Sequence, residues 1–89
     1  MSDPYAEAID ALTEVATLCA DEGMAYAAPV IAVRAHGVAR DGLTATAVRL
    51  AASANNAGDD EERAAYQMAH DALQRIIARA HERGLGADT

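Results

Sequence analysis

Four side chains of this 89-residue chain are suited to nucleophilic or metal chemistry: Cys19, His36, His70 and His81. His70 and His81 fall on nearly the same side of one helical segment, but eleven residues, about 16 Å of helix, separate them. Two ligands of one zinc ion each lie about 2 Å from it, so this pair cannot share a metal within its helix. No H-x-x-x-H or E-x-x-H pair occurs, and neither a metal nor another cofactor is expected. The two histidines are expected to border the packed face and to hydrogen-bond locally. Cys19 lies on an apolar stripe among acidic neighbours, a setting that keeps a thiol protonated and inert. A Cys–His pair with His36 or His70 is the catalytic alternative, and nothing in the spacing requires it.

The remaining candidates weigh against catalysis in the same way. Asp59-Asp60-Glu61-Glu62 is four consecutive acids, whereas a calcium loop alternates ligands with spacers around a turn glycine. At a helix start these acids cap the helix and complement its dipole. No phosphate loop, dinucleotide fingerprint or nucleophile elbow is present, and Gly84-Leu85-Gly86 reads as a helix stop. Arg34 falls between two apolar faces of its helix. If buried it needs a partner, and a carboxylate salt bridge is expected there in preference to an anion site. The chain is accordingly not expected to be an enzyme.

Charge is the most informative feature. Net charge is −7, and all seven basic residues are arginine. Asp3, Glu7, Asp10, Glu14 and Asp21 share one narrow face of the first helical segment, and no cation occurs between Asp3 and Glu22. Like charges one turn apart cost about 0.2–0.5 kcal/mol per pair. A merely solvating face usually mixes signs to avoid that cost. Arg75, Arg79 and Arg83 form a complementary ladder on a later helix, with Asp71 placed to pair with Arg75. The acidic face is therefore read as a docking surface for a basic partner, either a second copy's ladder or another protein. Dipole complementation and solubility are the plainer account of the same charges. Acidity disfavours both nucleic acid and anionic membranes.

Four helical segments must position these groups, giving an all-α fold: a small bundle with short loops and mostly antiparallel neighbours, forming one domain over residues 1–89. Asp3 as N-cap and Pro4 at the first position open a helix over 3–22, with Tyr5, Ile9, Leu12, Ala16 and Cys19 as its stripe. The second is expected over 29–40, because Pro29 disfavours helical geometry at Ala28, with a proline-kinked helix from Met24 as the alternative. In it Val30, Val33 and Gly37 share one face, while Ile31 and Val38 lie on another, as in a helix contacted twice. Gly37 is expected to permit a close helix crossing. A third helix over 44–55 follows Asp41-Gly42, with Leu43, Ala47, Leu50 and Ala54 as its stripe. A fourth over 60–83 carries Tyr66, Ala69, Leu73, Ile76, Ile77 and Ala80, and residues 84–89 are expected to fray.

Alanine is abundant, Phe and Trp are absent, and only three tyrosines supply aromatic area, so the core is thin. A thin core favours completion by a partner, and a homodimer or hetero-complex is expected. One cysteine precludes an internal disulfide and fits a cytoplasmic setting. The leading expectation is a non-catalytic protein–protein interaction module, a regulatory adaptor or small inhibitor. The alternatives are a helix-turn-helix-like transcriptional regulator presenting Thr44, Thr46, Arg49 and Ser53, and a small enzyme or ligand-binding helical protein.

Overall fold

The computed structural model describes residues 3–84. They form four helices, α1 (Pro4–Asp21), α2 (Ala27–Asp41), α3 (Leu43–Asn56) and α4 (Asp60–Glu82), with no strand among the described residues. The expected all-α bundle is what this chain builds. Gly84 follows the end of α4 at φ +70°, and the rest of the expected frayed tail, residues 85–89, lies outside the described residues.

Each helix begins and ends where its side chains allow. Asp3 accepts a hydrogen bond from the Tyr5 amide at 2.9 Å, and Pro4 follows at the first helical position. Asp59 does the same for α4, accepting from the Glu61 amide at 2.9 Å. One boundary differs from expectation: α2 begins at Ala27 and not at Pro29. Pro29 is thus the third residue of the helix. The amides of a first turn have no intrahelical acceptor, so the missing N–H of proline costs nothing there. Between α2 and α3 the connection is the single residue Gly42, whose φ of +94° is readily adopted only without a Cβ. That tight link lets Leu43, buried completely, open α3.

The helices pack in chain order around one core, with α1 most extensively against α2, α3 against α4, and α1 against α4. The α2–α3 contact is slighter. At 23 residues α4 is about 35 Å long and accounts for the 37 Å long axis. Leu12, Ile31, Val38, Leu43, Leu50 and Leu73 are the large apolar side chains fully removed from solvent. Around them nine buried alanines, among them Ala8, Ala35, Ala47 and Ala69, leave space for close backbone approach. The core is as lean as the composition implies.

On α2 the expected second apolar face is only partly used. Ile31, Ala35 and Val38 are buried, but Val33 is exposed. Nor does Gly37 admit a neighbouring helix. A Cβ there would lie 3.1 Å from Oδ2 of Asp41 and 3.4 Å from Nη2 of Arg40, both one turn or less along the same helix. The glycine makes room for a carboxylate lying against its own helix.

Candidate functional site

The acidic residues of α1 occupy the face opposite Leu12 and Cys19. Asp3, Asp10, Glu14 and Asp21 are exposed, and none of them forms an ion pair among the described residues. Glu7 differs. Its carboxylate, 25% exposed, meets Nη2 of Arg79 at 3.3 Å and Nη1 of Arg83 at 3.6 Å. The first turn of α1 therefore lies beside the last turns of α4, and the two helices run antiparallel. The acidic face and the arginine ladder, far apart in sequence, meet within one chain at this end. Pairs this exposed contribute about 0.2–1 kcal/mol, enough to bias register but not to drive folding.

Arg75 stays exposed and takes no part in these ion pairs. The expected Asp71–Arg75 pair does not form. Asp71 stands 3.4 Å from Nδ1 of His70 instead, an approach between adjacent residues that leaves Arg75 one turn away. His70 is half-buried, and its Nε2 is 3.4 Å from the Gln74 amide nitrogen, so it hydrogen-bonds locally as expected. His81 is exposed and does not border the packed face.

Toward the other end of the same α1–α4 seam the character changes from ionic to apolar. Leu18 and Met68 are each 51% exposed and flank a groove of about 520 Å³. Cys19 and Ala65, both buried, lie beneath it, and exposed Ala64, Glu22 and Glu61 also line it. Periodicity placed Leu18 and Met68 off the core stripes of their helices. Only the antiparallel docking of α1 on α4 brings them to one groove, so the sequence held no signal for it. Next to the groove, where the α1–α2 turn meets the start of α4, a second cleft of about 410 Å³ is lined by Glu22, Met24, Tyr26, Asp59, Glu61 and Glu62. Tyr26 is 73% exposed there. The acidity of α1 thus continues onto the first turn of α4.

Cys19 forms part of the groove floor but is only 3% exposed. Burial, reinforced by the charge of Glu22, pushes its thiol above the ordinary value of 9.0. A thiol held protonated is a poor nucleophile, which agrees with a packing role. Tyr66, buried on α4, is likewise pushed up, by burial first and then by Glu62 and Cys19.

Arg34 departs from expectation. Its Nε is buried and has no acceptor in the protein, and no carboxylate pairs with it. The nearby carboxylate, Asp41, is occupied by Nε of Arg40 at 3.2 Å and Nη1 of Arg49 at 2.8 Å. Arg34 reaches Asp41 only through its field. A buried donor without a partner costs about 1–3 kcal/mol. Of the residues considered for a DNA-reading helix, Thr46 is buried and donates its hydroxyl to the Gly42 carbonyl at 2.7 Å, so it cannot present itself to a base.

Compared with known proteins, the chain matches no family model, no curated protein and no solved structure. No helix among the described residues is long and apolar enough to cross a membrane.

Proposed function

We propose that this chain is a non-catalytic protein–protein interaction module whose α1–α4 seam receives a basic, amphipathic segment of a partner protein. The observation that carries this reading is the adjacency of unpaired acids and exposed apolar side chains: Glu14, Asp21, Glu22 and Glu61 surround or adjoin the Leu18–Met68 groove. Apolar anchors supply binding energy by leaving water, and rim charges supply orientation and association rate. A segment with apolar residues at helical spacing and Lys or Arg between them satisfies both halves of this surface. Tyr26, an exposed aromatic beside the acidic cleft, enlarges the contact area.

A partner other than a second copy is favoured. Two rungs of the arginine ladder, Arg79 and Arg83, already face Glu7 of their own chain. A second copy would have to break those contacts to offer the ladder to α1.

The test is affinity capture from an extract of the source organism with the full chain as bait, followed by measurement of the dissociation constant of the captured protein. Glu14→Arg and Leu18→Asp are each expected to weaken that complex at least tenfold without changing the circular dichroism spectrum. Affinity of the parent chain is expected to fall as salt is raised. A partner held equally well by both variants, or insensitive to salt, would remove this reading.

A further inference from the structure

A third cleft lies away from α1, where α2, α3 and the start of α4 leave about 540 Å³ between them. Its wall carries Val30, Arg34, Arg49, Ser53, Glu62 and Tyr66. The slight α2–α3 contact keeps this space open. Three features set it apart from the rest of a chain whose net charge is −7. First, two arginines, Arg34 and Arg49, line the same cleft. Second, the buried Nε of Arg34 has no acceptor in the protein. Third, Asp41, which pairs within this arginine cluster, is shared by Arg40 and Arg49, and its pKa is lowered first by the Arg40 hydrogen bond and then by the fields of Arg40, Arg49 and Arg34. Arg34, Arg40 and Arg49 stand there against two carboxylates, Asp41 and Glu62, so that corner keeps a small excess of positive charge.

From this arrangement we infer that the cleft binds a small molecule bearing one oxyanion head, a carboxylate or a phosphate, seated on Arg34 and Arg49. A guanidinium presents a planar fork of donors matched to the paired oxygens of such a head; the buried Nε of Arg34 is out of reach of the cleft, so its terminal nitrogens, which no group of the protein holds, are the tines offered. Ser53, on the same wall, adds a hydroxyl donor. Val30 and the ring of Tyr66 offer apolar cover for the body of the ligand. Glu62 sets the polarity of the site: a second anionic group on the ligand would face a carboxylate, so the far end is neutral or carries a donor. This site is separate from the α1–α4 seam and stands or falls independently of the protein partner.

The experiment is a titration of the isotopically labelled full chain, followed by amide and arginine Nε–H resonances. The probes are inorganic phosphate, phenyl phosphate, acetate and benzoate, each at an ionic strength matched with sodium chloride. Saturable shifts at Arg34, Arg49 and Ser53 are expected, with the aromatic probes binding more tightly than their small counterparts. Shifts with the phosphate pair alone would assign a phosphate ligand, and shifts with the carboxylate pair alone a carboxylate. Arg34→Gln is expected to weaken binding at least tenfold. Arg34→Lys, which keeps the charge but loses the fork, is expected to weaken it severalfold, whereas Arg75→Gln leaves it unchanged. Linear, non-saturating shifts with all four probes in the parent chain would overturn the inference whatever the variants do. So would equal affinity in a folded Arg34→Gln chain.

Discussion

Asp41 shows how one side chain acquires a role from its surroundings. Gly37 leaves room for its carboxylate, and Arg40 and Arg49 bind it from two directions. The hydrogen bond from Arg40 is the main reason its carboxyl titrates below the ordinary 3.8; burial works in the opposite direction, and the fields of Arg40, Arg49 and Arg34 add to the lowering. A carboxyl whose folded pKa lies below its unfolded one contributes stability that is complete above the unfolded value. That contribution drains away as pH falls through the folded value. The stability difference between the parent chain and Asp41→Asn is therefore expected to be constant near neutrality and to shrink below about pH 4. Urea unfolding at a series of pH values checks this, and a difference that persists unchanged at the acid end would contradict it. The arginine that matters most at this scale is Arg34. Its position between apolar faces was legible in the sequence, but its lack of a carboxylate was not. Which acid reaches it depends on how α2 lies on α3.

For the helices as units, local chemistry accounts for nearly everything. The stripe residues of α1, α3 and α4 are buried, Tyr5, Ile9 and Ile77 only partly, and Ala8, Val15, Thr46 and Ala65, outside those stripes, are buried beside them. Caps fall where capping residues stand. Asp59 caps α4, and three further acids occupy its first turn, so this end is the more strongly determined of the two. Asp59→Ala is expected to destabilise the chain by about 0.5–2 kcal/mol. Chemical denaturation measures the loss, and a change below a few tenths of a kcal/mol would mean that the following acids suffice. Neither α2 nor α3 has a side-chain cap, and α2 alone departs from its expected start, beginning two residues before its proline. There the sequence rule about the residue preceding proline yields to the packing of Ala27, which is wholly buried.

Across the whole molecule, a thin core makes each large side chain count. With Leu12, Leu43, Leu50 and Leu73 supplying much of the fully buried volume, Leu73→Ala is expected to cost about 2–5 kcal/mol. Small domains have only about 5–15 kcal/mol in total, so this loss is a large share of it and is expected to lower the melting temperature followed by circular dichroism by many degrees. A cost below about 1 kcal/mol would show that the surrounding alanine-rich helices collapse into the cavity. Surface charge has the opposite profile, with little effect on stability and a large effect on recognition. Acids collect along α1 and the first turn of α4, while arginines collect at the α2–α3 corner and the end of α4. The two proposed binding regions follow that division.

The sequence by itself determined the number and type of the helices, their caps, their inward faces and the one-sided acidity of α1. All of these depend on residues within a turn or two of each other, and helical periodicity makes such relations readable. Tertiary structure alone decided that Glu7 faces Arg79 and Arg83, that Leu18 and Met68 share a groove, and that Arg34 lines a cleft with no carboxylate paired to it. Those relations join residues distant in the chain, across edges of helices that carry no strong pattern. They are set by the angle and register at which small-residue surfaces pack, and alanine faces permit many such packings until the whole core selects one.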